Sequence, residues 1–147
     1  MAEGPYLWDI GCDHSILAKI NQKQGRFMTV YCVDKSINSL DKINLSRGAI
    51  DDSKTKLIHS DGCDLDWKQV SGSVVIAGVG GNTVIKVVAS CPKEKREELT
   101  WIMNPFTSVD KFLKEIPNLF PHSELVSTKV IEKKRERTIY KWQKQSV

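Results

Sequence analysis

The chain has 147 residues, 40% of them hydrophobic and 27% charged, with a formal net charge of +4 and a pI near 8.9. That length and balance fit one globular domain over 1–147 and exclude a disordered, fibrous or membrane-spanning chain, since no run approaches the roughly 18 apolar residues that a membrane helix needs. The modest positive charge permits a polyanionic partner without requiring one.

Cys12, Cys32, Cys63 and Cys91 contain no C-x-x-C pair, and with three scattered histidines they offer no zinc-ligand spacing, so no metal is expected. Free thiols, and no basic-then-apolar leader over 1–5, point to a cytoplasmic protein.

Residues 6–10 form a short apolar run that ends in Asp-Ile-Gly, and apolar positions at Ile16, Leu17 and Ile20 then follow a helical spacing, which predicts strand, turn and helix. A second strand is expected over 27–33, rich in β-branched and aromatic residues. A helix carrying Ile37, Leu40, Ile43 and Leu45 follows Asp34. Leu57 and Ile58 begin a third strand, stopped at Ser60-Asp61-Gly62 by an Asp-Gly turn signal.

Residues 73–77 read as a strand buried on both faces, broken by Gly78-Val79-Gly80-Gly81 before a helix through Val84, Ile85, Val87 and Val88. A fifth strand over 99–103 ends at Asn104-Pro105. Thr107 or Ser108 is expected to cap a helix with Val109, Phe112, Leu113 and Ile116, closed by Pro117. Two β-rich runs, 124–131 and 138–142, flank the charged stretch 132–137 as an antiparallel hairpin. Five alternating β/α units and a hairpin define an α/β class, a doubly wound Rossmann-like sheet that is mostly parallel with an antiparallel end.

In an open parallel sheet the ligand lies beyond the carboxyl ends of the strands, where the winding reverses. After the first strand come Asp9, Gly11, Asp13 and His14, with Gly11 suited to a sharp turn and followed by Asp13 and Ser15 instead of the two further glycines of a dinucleotide fingerprint. A pyrophosphate would be repelled by Asp9 and Asp13, whereas a sulfonium amino acid would be attracted, which favours S-adenosylmethionine over NAD. Asp34 ends the second strand where an acid can accept bonds from both ribose hydroxyls; its structural alternative is a helix N-cap. Asp61 and Gly62 end the third strand, as an adenine contact or as a plain turn.

In order, Asp9-Ile-Gly-Cys-Asp-His14, Ser60-Asp-Gly62, Ile76-Ala-Gly-Val-Gly-Gly81 and Asn104-Pro105 resemble the motifs of the bacterial tRNA (adenine-N1)-methyltransferases of the TrmK family, over 8–142. The resemblance implies a Rossmann-like sheet with S-adenosylmethionine as cofactor. Asp9, Gly11, Asp13 and His14 would then line the methionine end, Asp34 the ribose, Asp61 and Gly62 the adenine, and Ala77, Gly78 and Gly80 the wall beneath the sulfonium. Asn104, Pro105 and Phe106 stand on the acceptor side, with Phe106 able to stack on a withdrawn base; the alternative is that Asn104-Pro105 ends a strand and Phe106 is core.

Three positions depart from the family pattern: Cys12 for a serine, Val79 for a methionine and Asn104-Pro105-Phe106 for a Gln-Pro-Asn form. Relative to the family, both ends look trimmed, which leaves open a shortened non-catalytic cofactor-binding relative, or a methyltransferase with an acceptor other than tRNA. Lys133, Lys134, Arg135, Arg137 and Lys141, with Lys93, Lys95 and Arg96, are candidate phosphate contacts, against the alternative of solvated charge.

Overall fold

The computed structural model describes residues 2–45 and 53–145. Its chain order is β1 (Tyr6–Ile10), α1 (Ile16–Gln24), β2 (Thr29–Asp34), α2 (Ile37–Leu45), β3 (Thr55–His59), β4 (Ser73–Ala77), α3 (Gly81–Ser90), α4 (Lys93–Glu98), β5 (Thr100–Asn104), α5 (Val109–Leu119), β6 (Ser123–Glu132) and β7 (Arg135–Lys144). The strands form one sheet in the order β3-β2-β1-β4-β5-β7-β6. The first five are parallel; β7 runs antiparallel to β5, and β6 antiparallel to β7. The winding reverses between β1 and β4, so the carboxyl ends of those strands are where this architecture places a ligand.

Alternation along β1 and β2 divides the core into two layers. Leu7, Val30, Cys32 and Val75 pack with Ala18 of α1 and with Leu40 and Ile43 of α2 on one face. On the other face Trp8, Ile10, Val33, Val74 and Ile76 pack with Val84, Val87 and Val88 of α3 and Phe112 and Ile116 of α5. All four tryptophans, Trp8, Trp67, Trp101 and Trp142, belong to this second layer. Trp8 stacks on Tyr31 at 4.0 Å, and Trp142 meets Phe112 and Phe120 at 5.8 and 5.7 Å, which roots β7 in the core.

Several sequence expectations are corrected. No α-helix links β3 to β4; two short 3-10 turns, Gly62–Asp64 and Trp67–Gln69, stand where the third β/α unit would have its helix. The charged segment after Pro92 is the helix α4, invisible to an apolar-period reading because its residues, Lys-Glu-Lys-Arg-Glu-Glu, are all charged. Arg96 there is buried, donating to the carbonyls of Leu119 at 3.0 Å and Cys91 at 2.9 Å. It is a structural tie at the amino end of β5 and not a phosphate ligand. Lys141 is likewise buried, bound to Glu3 at 2.6 Å.

Pro117 does not close α5, which runs on to Leu119 and is finished by the Phe120 amide bonding to the Pro117 carbonyl at 3.1 Å. Ser108 stands at its start with φ 52°, and no side-chain cap is made; its carbonyl accepts from the Phe112 amide instead. The hairpin strands extend through the charged stretch, leaving only Lys133 and Lys134 in the turn, at φ 48° and 63°. Both angles fit a two-residue type I′ turn, and the ion pair Lys129–Glu136 at 2.9 Å supports the extension across the strands.

Gly62 shows how tightly the second layer is packed. A Cβ built there would lie 2.6 Å from Cγ2 of Ile10 and 3.1 Å from Cγ2 of Val87, on β1 and α3. Gly62→Ala is therefore expected to destabilise the protein by about 1–3 kcal/mol through overpacking, read as a lowered denaturation midpoint. An unchanged midpoint would show that β1 and α3 can separate without cost.

Candidate active site

Five loops meet at the carboxyl edge of the parallel strands. β1 ends at Ile10, paired with Val33 and Ile76, and the chain turns at Gly11 with φ 76°, a conformation that favours glycine. The Gly11 amide donates to the Val33 carbonyl at 2.8 Å, fixing the turn against the end of β2. Asp13 lies exposed in the 3-10 turn Asp13–Ser15 that opens α1; His14 is in the same turn, and its side chain lies outside the described residues.

Asp9, one residue before the end of β1, is only 7% exposed, and among the described residues no hydrogen bond or ion pair reaches its carboxyl. Burial, with a smaller contribution from the charge of Asp34, pushes its pKa up to about 7. Asp34 is half-buried at the end of β2. One of its oxygens accepts from the Ser36 amide at 2.8 Å, while Ser36 itself caps α2 by accepting from the Ser39 amide at 3.3 Å. The helix-cap alternative for Asp34 thus falls to Ser36, and the second oxygen of Asp34 makes no hydrogen bond within the described chain.

Beyond β3, exposed Asp61 accepts from the Cys63 amide at 3.1 Å, which with the nearby lysines holds its carboxyl below the ordinary carboxylate range. Gly62 is buried, and its identity follows from the packing described above. A cleft of about 300 Å³ opens beside this turn, lined by Trp8, Ile58, His59, Ser60, Asp64 and Leu65 among others. It lies on the sheet face opposite Asp9, and nothing in the hydrophobic pattern of the sequence announces it.

The far wall is built by two loops joined through their backbones. Ala77 and Gly78 are exposed at the end of β4, Gly80 caps α3, and Asn104 ends β5 beside Ala77. Gly78 donates to the Asn104 carbonyl at 3.4 Å, Phe106 to Val79 at 2.9 Å and Gly81 to Thr107 at 2.8 Å. Pro105 is buried, but Phe106 is 48% exposed, so it is not core; it stands on the lip, and a Cβ on Gly78 would touch its ring at 3.9 Å. The guanidinium of Arg137, from the hairpin, lies over that ring at 4.3 Å from its centre. This contact joins residues remote in sequence and carries no sequence signal.

Cys12, in the serine position of the family pattern, is buried against Cys32, whose thiol together with burial pushes the Cys12 thiol well up. It packs in the layer beneath α1 and α2. Among the described residues no helix is long and apolar enough to cross a membrane, and no group of His, Cys, Asp and Glu is arranged to hold a metal ion.

A cationic ligand fits this edge. The unpartnered carboxyl of Asp9, the open oxygen of Asp34 and the glycine-lined wall provide carboxyl oxygens and close backbone approach.

Comparison with known proteins agrees with this fold. The fold is similar to that of a candidate tRNA (m1A22) methyltransferase of Streptococcus pneumoniae, with a TM-score of 0.79 and 18% identity over 100% of this chain and 67% of that one. M. capricolum TrmK, solved with S-adenosyl-homocysteine, matches at TM-score 0.74 and 18% identity over 95% of this chain and 62% of its own. The B. subtilis m1A22 tRNA methyltransferase TrmK matches at 0.71 and 15%, over 95% and 60%. The chain therefore spans about two thirds of the length of these structures. No curated protein sequence matches it. Residues 1–136 match the family described as a methyltransferase domain, and with that match the chain belongs to the methyltransferase-domain family, for which S-adenosylmethionine is the cofactor.

Proposed function

We propose that the chain transfers the methyl group of S-adenosylmethionine to N1 of an adenine in tRNA. The observation that carries the reading is the pair of acids at the ends of β1 and β2: Asp9 buried without a partner, and Asp34 beside it with one oxygen open, both at the carboxyl edge of a methyltransferase sheet. The names of the TrmK structures support the acceptor, and so does an exposed aromatic ring on the lip opposite those acids.

S-adenosylmethionine, when bound, supplies a methyl group on a positively charged sulfur. The residues of the chain would do the rest by placement. Asp9 and Asp13 serve the methionine end, with His14 in the same turn, Asp34 accepts from ribose hydroxyls, and Asp61 stands near the adenine. Gly78 and Gly80 leave room beneath the sulfur, and Phe106 stacks the acceptor base in line with it. Adenine N1 carries no proton, so no general base is required, and alignment with exclusion of water suffices.

Asp34→Ala is expected to weaken S-adenosylmethionine binding about 10- to 100-fold, as charge-assisted hydrogen bonds of about 1.5–3 kcal/mol disappear. Calorimetric titration with NAD as control checks this; equal affinity in the variant would remove Asp34 from the site. Affinity should also depend on pH through Asp9. Below about 7 its carboxyl is protonated in the free protein, so a cationic ligand should bind more tightly as pH rises through about 7, with proton release on binding.

The same shift affects stability in the ligand-free state. The folded value lies above the ordinary 3.8, so the native chain holds an extra proton between about 4 and 7, and its stability falls as pH rises across that window. Asp9→Asn should abolish both dependences and raise stability at pH 8 by at least about 1 kcal/mol. Curves that superimpose on the wild type would show that Asp9 is not buried in charge-poor surroundings.

For the acceptor, the test is incubation with labelled cofactor and unmodified tRNA, followed by nucleoside analysis. Accumulation of 1-methyladenosine is expected. Cofactor binding with no transfer to tRNA would instead identify a non-catalytic relative or another acceptor.

A further inference from the structure

The hairpin does not merely finish the sheet. β7 pairs with β5 only through Trp101–Trp142, Ile102–Lys141 and Met103–Tyr140, whereas it pairs with β6 along ten positions from Ser123–Lys144 to Glu132–Arg135. Because β7 is antiparallel to β5, residues 135–139 and their partners 128–132 leave the sheet at the carboxyl edge of β5, beside the lip that carries Phe106. Five residues of strand project about 17 Å at about 3.4 Å each.

That arm carries five cationic side chains, Lys129, Lys133, Lys134, Arg135 and Arg137, against Glu132 and Glu136. Lys129 is paired with Glu136 at 2.9 Å, and Arg137 Nε lies 3.7 Å from Glu132. Among the described residues Lys133, Lys134 and Arg135 have no ion-pair partner and are exposed. Arg137 is only 27% exposed, its Nε makes no hydrogen bond, and its guanidinium covers one face of Phe106.

We propose that the β6–β7 arm grips a nucleic-acid backbone, and that Arg137 exchanges the face of Phe106 for a phosphate when substrate enters. The proposal rests on the reading that Phe106 stacks the acceptor base. A guanidinium over an exposed ring is weakly held, and a bidentate guanidinium–phosphate contact is stronger. A base that arrives with its backbone supplies that replacement and uncovers the ring. A free nucleoside supplies no phosphate and must displace Arg137 without compensation. Arg137 is thus a specificity residue for polynucleotide over nucleoside, acting through the ring that it covers.

The test uses the full chain and its Arg137→Ala variant, with S-adenosylmethionine affinity and the thermal midpoint as checks that the fold is intact. RNA binding is read by anisotropy of a labelled stem-loop across a salt series, and free adenosine is tried as a methyl acceptor. The variant is expected to bind RNA about tenfold more weakly, with the salt slope reduced by about one, while its turnover of adenosine rises severalfold. The proposal is overturned if RNA affinity and salt slope are unchanged, if RNA and adenosine both suffer alike, as a mere prop for Phe106 would require, or if polyglutamate binds the arm better than RNA. Wild-type protein that binds RNA without methylating it would refute the tRNA reading, and the arm would still stand or fall on the salt slope.

Discussion

β1 is hydrogen-bonded on both sides, to β2 and to β4, and covered on both faces by packed layers. A five-residue strand so enclosed has one place to go at its end, out through the carboxyl edge, and the chain makes that exit at a glycine with positive φ. The exit holds the Gly11 amide on β2, sets Asp9 one residue inside the sheet, and brings Asp34 alongside on the same face. Enclosure is thus what deprives the Asp9 carboxyl of water. The same parallel register that stabilises the strand creates the electrostatic demand at its tip.

Much of this was legible from sequence. Residues 73–77 read as a buried strand because Val74, Val75 and Ile76 are apolar without alternation, which only a doubly covered strand tolerates. Alternation and helical period likewise placed α1, α2, α3 and α5. One helix and part of the hairpin escaped. α4 has no apolar residue to give it a period, and it is held instead through Arg96, which bonds to the nearby Cys91 carbonyl and to that of Leu119, 23 residues on. The hairpin itself was legible, but the strand residues Glu132 and 135–137 were not, because they are charged and give no hydrophobic pattern.

The site was legible to the extent that chemistry follows strand ends. Asp9, Gly11, Asp34, Gly78 and Asn104 all occupy that edge. Gly62 is set by steric contact with Ile10 and Val87, which no spacing rule could have revealed. The burial of Pro105 and exposure of Phe106, adjacent in the chain, were equally unreadable, because the difference is made by the backbone bond from Phe106 to Val79 on another loop. The contact between Arg137 and Phe106 exists only because an antiparallel strand returns its first residues to the edge where the parallel strands end.

The placement of all four tryptophans in the layer beneath α3 and α5 makes the two sides of the sheet optically unequal. Intrinsic fluorescence will follow the layer that anchors the arm through Trp101 and Trp142, and will respond to that layer's hydration whenever it loosens. The opposite layer, where α1 and α2 cover Val30 and Cys32, holds no indole at all among its described residues. Partial opening on that side would be dark to this probe, so a single emission transition measures one half of the core, and a tryptophan introduced beneath α2 would give the other half a signal of its own.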